Sequence, residues 1–378
     1  ARPIEQRAMP PEASLTGFDG MHPVLKRLYA MRGVSDAGEL DYGLGRLLPV
    51  GSLENIDAAV ELLLRHRENR IVVVGDFDVD GATSTAVMLR SLADFGFTNV
   101  GYLVPNRFDY GYGLSPEIVA VAAEQQPALI ITVDNGISSI RGVEAANAAG
   151  IQVLVTDHHL PGEELPAADV IVNPNLAGSQ FGSRNLAGVG VAFYVMAALG
   201  QALERDGREG AARIPAKYLD LVALGTVADV VPLDHNNRIL VEQGIRRIRA
   251  GRTVTGINAL LDVAGRQARR IVSTDLGFAV GPRLNAAGRL DDMSVGIECL
   301  LTDDAAAAEL FAAQLDAINR ERREIESDMR DQAFAFVDAM DARQLPACVC
   351  LYDESWHQGI VGLVASRVKD RCHRPVIA

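Results

Sequence analysis

Between positions 70 and 172 short apolar runs alternate with amphipathic stretches in a regular rhythm. IVVVG (71–75), YLVP (102–105), LIITV (129–133) and VLVT (153–156) are rich in Val, Ile and Leu and do not alternate with polar residues. A strand of that kind has both faces buried. Helical periodicity takes over after each run, with starts predicted near Thr83, near Ser115 and near Ser138. Strand and helix in alternation predict an α/β fold, a parallel sheet with helices on both sides.

Ligands of such sheets bind at the carboxyl ends of the strands, where loops lead into helices. The acidic and His residues fall there: Asp76, Asp78 and Asp80 in GDFDVDG after the first run, Asp134 at the end of the third, and Asp157, His158 and His159 at the end of the fourth. A further carboxylate, Asp229, lies where the apolar helical run LDLVALGTVADVVPL meets a turn. Spacing alone does not bring it to the same place.

Segment 236–300 mixes helices with the Gly-, Asn- and Arg-rich stretch GPRLNAAGRLDD (281–292). From Asp303 to about Ala342 there is no Pro or Gly, and Ala, Glu, Arg and Leu dominate, which predicts one long helix connecting two domains. Its charge run NRERREIESD reads as a solvated face with i,i+4 pairs. ACVCLYD (347–353) then predicts a strand, 359–371 a helix, and PVIA (375–378) the opening of another strand, as if the chain stopped inside a domain.

Composition narrows the class. The 378 residues are 48% apolar and 22% charged, a globular profile with room for two or three domains. No apolar run reaches the roughly 20 residues that span a bilayer. The N-terminus lacks the order of a signal peptide, so a cytoplasmic address and no membrane partner are expected. Cys299, Cys348, Cys350 and Cys372 form no CxxC pair and read as reduced, buried thiols. A net charge of −13 argues against coating nucleic acid by bulk attraction. It leaves a nuclease open, because carboxylates that hold cations count as negative until metal binds.

Hydrolysis of a phosphodiester needs an activated water and positive charge against the phosphorus oxygens, and two divalent metals about 4 Å apart supply both. Carboxylates with one or two imidazoles and no thiolate suit Mn²⁺ or Mg²⁺. Each motif has a plainer reading. An Asp-rich turn after a strand also serves as a helix N-cap, and Asp134 also fits an Asx-turn. GDFDVDG resembles a calcium loop, but Val87 stands where the closing Glu belongs. Adjacent His158 and His159 beyond a buried strand are harder to satisfy as ordinary core. GVGVAF (188–193) lacks the Lys-Ser/Thr of a phosphate loop and reads as helix packing. His357, beside Trp356, reads as structural, although its place before a Gly-rich helix start suits an anion.

DFDVDGATS, TVDNGISS, TDHHLPGEELPAADVIVNPN and GTVADVVPL together resemble the four successive motifs of the DHH phosphoesterase superfamily. PNRF with GYGLSPE, LAGVGVAFY, LGFAVGPRLNAAGRLDDMSVG and WHQGIVGLVASRVKDRCHRPVIA resemble its bacterial single-strand-specific exonucleases, from about Leu25 to the last residue. The resemblance implies a segment 1–50 of helical character, a DHH catalytic domain at 51–300, a connector helix at 301–343 and the incomplete start of a smaller α/β DHHA1 domain at 344–378. It implies degradation of single-stranded DNA from 5′ to 3′ to mononucleotides, in recombination and repair, with a single-strand-binding protein and a repair helicase as partners.

By the same resemblance, Asp78, Asp80, Asp134, His158 and Asp229 hold two Mn²⁺ or Mg²⁺ ions, with Asp134 bridging. Many members place a metal-binding His four residues before the paired aspartates. Val74 occupies that position here, and Asp76 takes over its role. His159 sits at the scissile phosphate, Asp157 orients the imidazoles, Arg283, Asn285 and Arg289 contact phosphate, Arg107 lies towards the 5′ end, and His357 faces the DNA from the second domain. The family continues beyond PVIA with the rest of DHHA1 and an OB-type domain, so the resemblance predicts weaker DNA binding by this chain alone.

Overall fold

The computed structural model describes residues 5, 8–11, 15–106, 108, 110–340 and 346–378. After α1 (Pro23–Ala30), three single turns of 3₁₀ helix and α2 (Ile56–Arg65), the chain enters the sheet. β1 (Ile71–Val74), α3 (Val79–Asp94), β2 (Val100–Leu103), α4 (Pro116–Ala123), β3 (Leu129–Val133), α5 (Ile140–Ala148), β4 (Gln152–Thr156) and β5 (Val170–Val172) follow in alternation. All five strands are parallel, in the order β2-β1-β3-β4-β5. The expected parallel sheet is present. β2 lies two residues earlier than the YLVP run, and β5 is additional.

Alternation along each strand explains why the apolar runs are unbroken. Ile71 and Val73 of β1 face one core with Leu129, Ile131 and Val133 of β3, packed against α3, α6 (Gly188–Arg205) and α7 (Leu219–Ala228). Val72, Val74, Ile130, Val153 and Val155 face a smaller core built with Ile118, Val119, Val143 and Ala146 of α4 and α5. Both faces of the central strands β1 and β3 are buried, so both positions of the pleat are apolar there except at Thr132.

Strand order puts a topological switch between β1 and β3. The chain leaves β1 towards β2 and returns to add β3 on the other side, so the loops after β1 and β3 diverge and leave a crevice at their carboxyl ends. The loop 75–78 and Asp134 border that crevice.

The rest of the chain is helical: α8 (His235–Arg249), α9 (Thr255–Val263), the single turn α10 (Ser273–Asp275) running into a π-turn (276–280), α11 (Gly281–Leu290), α12 (Ser294–Leu301) and α13 (Ala305–Asp338). The Gly- and Arg-rich 281–292 stretch is therefore mostly helix. α13 matches the expected long helix and belongs to two cores. Ala308, Ala312 and Leu315 join the main core, whereas Met329, Ala333 and Val337 pack with Val349, Leu351, Trp356, Ile360, Val364 and Val368. That third core holds β6 (Val349–Cys350), α14 (Val361–Cys372) and β7 (Val376–Ile377), with β6 and β7 parallel. The strand expected over 347–353 is confined to two residues.

Two expectations are corrected here. The charge run on α13 is not merely solvated: Asp316, Asn319 and Glu326 are buried, and they tie α13 to Arg283 and Arg367 as well as to Arg320 and Arg322 of the same helix. Of the free cysteines only Cys299 is buried, and Cys350 is exposed, because β6 has a single covered face. Among the described residues no helix is long and apolar enough to cross a membrane.

Candidate metal centre

GDFDVDG becomes the first turn of α3, four residues ahead of the predicted start. Asp78 is its N-cap, with a side chain that accepts from the Gly81 amide at 3.0 Å, so the plain capping reading is correct for this residue. Asp76 folds back to accept from the Phe77 amide at 2.7 Å. Asp80, in the same first turn, is buried and points across to the start of α6. There the amides of Gly188 and Val189 donate to its Oδ2 and Oδ1 at 2.6 and 2.9 Å. The GVGVAF run, expected only to pack, thus presents the positive end of a helix to a carboxylate of the cluster.

Asp134 follows β3 in the left-handed region, at φ 61°, where Asp is tolerated better than most side chains. Its amide continues the ladder to the Thr156 carbonyl at 3.0 Å, and its buried Oδ1 finds no hydrogen-bond partner. His158 Nε2 is likewise buried and unpartnered, and it lies 3.2 Å from Asp134 Oδ1, 3.6 Å from Asp229 Oδ2 and 3.9 Å from Asp80 Oδ2. Ligand atoms of Asp80, His158 and Asp229 lie within 4.8 Å of one another, and so do those of Asp76, Asp78 and Asp134. A third set, Asp134, His158 and His159, satisfies the same limit. The six expected ligands converge on one place.

Electrostatics explains what this place lacks. Burial, and then the neighbouring carboxylates, push the carboxyls of Asp80 and Asp134 well above the usual range. Burial raises Asp229 too. Burial also pulls His158 below the ordinary imidazole range, opposed chiefly by the charge of Asp229. Its Nε2 faces carboxyl oxygens of three aspartates at 3.2 to 3.9 Å. Acceptors crowded this closely need either a shared proton or a cation between them. Oxygen and imidazole donors without a thiolate fit a hard divalent ion.

Asp157 has a different task. Its Oδ2 accepts from the Ile137 amide at 2.9 Å, and its Oδ1 accepts from the His158 and His159 amides at 2.7 and 3.1 Å and from His159 Nδ1 at 2.8 Å. Burial works against its charge, but the His159 hydrogen bond and these amides outweigh it and hold the carboxyl below its usual range. The same bond raises His159. Asp157 orients His159 directly and reaches His158 through the backbone.

A cleft of about 940 Å³ opens over the cluster, with Asp76, Asp78, His159, Asp229, Asn285 and Arg289 in its walls. Asn285 and Arg289 are four residues apart on α11 and share a face. Asn285 Oδ1 accepts from the Val79 amide at 3.1 Å, tying α11 to the aspartate loop, and Arg289 donates to the Gly359 carbonyl at 3.2 Å. Gly288 permits this approach, since a Cβ there would stand 1.8 Å from the Phe77 carbonyl oxygen. His357 accepts from the Gly359 amide at 3.1 Å and meets the Phe108 ring edge-on at 5.7 Å, which brings the third core to the loop after β2.

Arg283 is not among the residues that line this cleft. Two positions from Asn285 on a helix is about 200° around the axis, and its guanidinium pairs with Asp316 of α13 at 2.8 to 2.9 Å, both side chains about nine-tenths covered. Its guanidinium is thus engaged in an interhelical ion pair, which makes a structural role the alternative to the phosphate contact expected of it. Arg283→Met should therefore destabilise the protein by about 3 kcal/mol, as expected when one member of a buried pair is removed, while turnover per folded molecule holds. Urea titration beside an activity assay checks this, and lost turnover at unchanged stability would restore the phosphate role. Arg107 lies outside the described residues.

Residue-by-residue reading missed Tyr112. Its hydroxyl donates to the Asp134 carbonyl at 3.2 Å, and its half-exposed ring stands edge-on to Phe77 and His159. The available signal was an aromatic held between two glycines, Gly111 and Gly113, both with positive φ.

Residues 70–226 match the DHH family, N-terminal domain. The chain is 55% identical over 364 residues to the single-stranded-DNA-specific exonuclease RecJ of Escherichia coli, covering 94% of this chain and 63% of that protein. It is 36% identical to RecJ of Thermus thermophilus, covering 92% of this chain and 49% of that one. A crystal structure of exonuclease RecJ bound to manganese superposes with a TM-score of 0.77 at 35% identity, over 87% of this chain and 80% of that chain. RecJ of T. thermophilus in complex with Mn²⁺ gives 0.78 at 34% identity, over 92% and 49%. The chain thus spans less than two thirds of the length of these curated relatives.

Proposed function

Because the chain belongs to the RecJ family of DHH phosphoesterases, we propose that it is a metal-dependent exonuclease that hydrolyses single-stranded DNA from the 5′ end to mononucleotides, in the cytoplasm and in the service of repair and recombination. The observation that carries this reading is the pair of unpartnered buried atoms, Asp134 Oδ1 and His158 Nε2, 3.2 Å apart among further carboxylates. Asp76, Asp78, Asp80, Asp134, His158 and Asp229 would hold two Mn²⁺ or Mg²⁺ ions. Those ions would supply the activated water and the positive charge at the phosphorus oxygens.

The remaining work falls to the chain's own groups. Asn285 and Arg289 on one face of α11 position a phosphate over the cluster. His159, whose Nδ1 is fixed by Asp157, keeps a proton more readily than a free imidazole and so suits protonation of the departing oxygen. Residues 344–378 are read as the start of a second domain that walls the cleft from the α11 side, with 301–343 as the connector. A single-strand-binding protein and a helicase are the proposed partners.

With Mn²⁺, a long 5′-phosphorylated single strand should be converted to mononucleotides, its duplex should resist, and chelation should stop the reaction. A preference for two- to five-residue oligonucleotides would instead indicate a small-substrate phosphodiesterase, the reading opposed by the RecJ-like stretches at 281–296 and 356–378. No calorimetric Mn²⁺ binding would indicate a non-catalytic DNA scaffold.

A further inference from the structure

The chemistry proposed above makes no use of Asn173 and Asn175, which flank Pro174 just after β5. Both close over the turn that carries the two histidines. Asn173, fully buried, donates from Nδ2 to the His159 carbonyl at 2.9 Å, and its Oδ1 accepts from the Asn175 amide at 2.7 Å in an Asx-turn. That turn presents Asn175, whose Nδ2 donates to the His158 carbonyl at 2.6 Å. Asp157 already accepts from the amides of both histidines. Three side chains thus engage all four backbone polar groups of His158 and His159.

Asn175 has a second bond, from the same Nδ2 to the Arg184 carbonyl at 3.3 Å. The segment it reaches is itself anchored: the Ser183 hydroxyl and Asn185 Nδ2 donate to Asp234 Oδ2 at 2.6 and 3.2 Å, and Asp234 is the N-cap of α8. Four residues beyond Arg184 begin the amides of Gly188 and Val189 that hold Asp80. One nitrogen therefore joins the turn of His158 to the segment that places Asp80. These two ligand atoms come from different elements and lie 3.9 Å apart.

We propose that Asn175 is a positioning residue that sets the separation of His158 from Asp80, and with it the fit of Asp80, His158 and Asp229 to a divalent ion. The inference rests on the metal-dependent reading of the cluster. It is local, because the set Asp76, Asp78 and Asp134 contains no histidine and receives no hydrogen bond from Asn175 among the described residues. It is also specific to an amide. Nδ2 carries two hydrogens, one for each carbonyl, whereas a carboxylate of the same shape would turn an acceptor on both.

Asn175 is only partly buried, so in Asn175→Ala water can reach the freed carbonyls and the fold persists. Calorimetric titration of the whole chain with Mn²⁺ should show one of two sites weakened by about tenfold to a hundredfold, the usual cost of losing a group that orients a ligand. The other site should keep its Kd. The Mn²⁺ concentration for half-maximal nucleotide release should rise by the same factor, and turnover at saturating Mn²⁺ should return to near wild type. Asn175→Asp should weaken the same site further. Asn147→Ala is the control: it removes a similar bond, Nδ2 to the Ala167 carbonyl at 2.9 Å, and should alter neither Kd. A lower melting temperature in Asn175→Ala with both Mn²⁺ affinities unchanged would make Asn175 purely structural and overturn the proposal. Equal weakening of both sites overturns it too. A wild-type chain that binds no Mn²⁺ overturns this proposal together with the metal reading, whereas one with an Asn175-dependent Mn²⁺ site that cuts no single strand keeps the positioning role and sinks the exonuclease reading.

Discussion

Asp134→Asn is expected to lower Mn²⁺-dependent release of nucleotides from single-stranded DNA by about a thousandfold or more and, at the same time, to make the metal-free protein more stable. The first effect follows from the place of Asp134, whose oxygens lie within reach of His158 on one side and of Asp76 and Asp78 on the other. Loss of a carboxylate that belongs to two of the three sets forfeits the several kcal/mol that a held cation supplies at the phosphorus oxygens.

The second effect has the opposite sign. Without metal, Asp134 is a buried carboxylate beside other carboxylates, and burial and those neighbours raise its pKa. The folded state then binds its proton more tightly than the unfolded state does. Wild-type stability should fall as pH rises above the ordinary carboxylate range, by linkage, and the Asn variant should lack that part of the slope. Near neutral pH the variant should gain on the order of 1 kcal/mol, a stability gained where function is lost. Thermal melts with and without Mn²⁺ test both effects together, since ion binding stabilises only a protein that holds the ion. A variant that melts lower without metal, or that still gains from Mn²⁺, would remove Asp134 from the centre.

The sequence made much of this arrangement legible, and for identifiable reasons. β1, β3 and β4 are buried on both faces, so their composition alone distinguishes them, whereas β5 has three residues and its signal is lost between Pro166 and Pro174. Five of the six converging ligands stand within a few residues of a strand end, which is where a parallel sheet collects its ligands. The place of Asp229 in the site came from the resemblance, because 73 positions separate it from the end of β4 at Thr156. What stayed hidden depends on tertiary phase. Nothing local to Arg283 says that its face of α11 meets α13, and nothing local to Gly188 says that the start of α6 grips Asp80, 108 residues away.

That last contact makes Gly188 the strongest test of the site away from its ligands. The α6 N-terminus is pressed between two of them: the Gly188 amide donates to Asp80 Oδ2 at 2.6 Å, while a Cβ built at Gly188 would fall 2.6 Å from the Asp134 carboxylate carbon chain and oxygen. Gly188→Ala must therefore move either the carboxylate or the helix. Moving the carboxylate misdirects a residue that two of the ligand sets share, and moving the helix breaks the two hydrogen bonds by which its amides hold Asp80. Either adjustment should cost about 1–3 kcal/mol of stability, the usual range for overpacking. The effect on chemistry should be larger, a loss of about a hundredfold or more in Mn²⁺-dependent turnover, because a displacement near 1 Å in a reacting centre is enough for that. Gly190→Ala is the control within the same helix turn. Its Cβ would meet the end of the Leu186 side chain at 3.0 Å, a contact that a rotamer change relieves, so activity should stay near wild type. Equal losses at 188 and 190 in Mn²⁺ titrations and turnover would mean that the helix is merely intolerant of bulk, and that its N-terminus does not position the metal ligands.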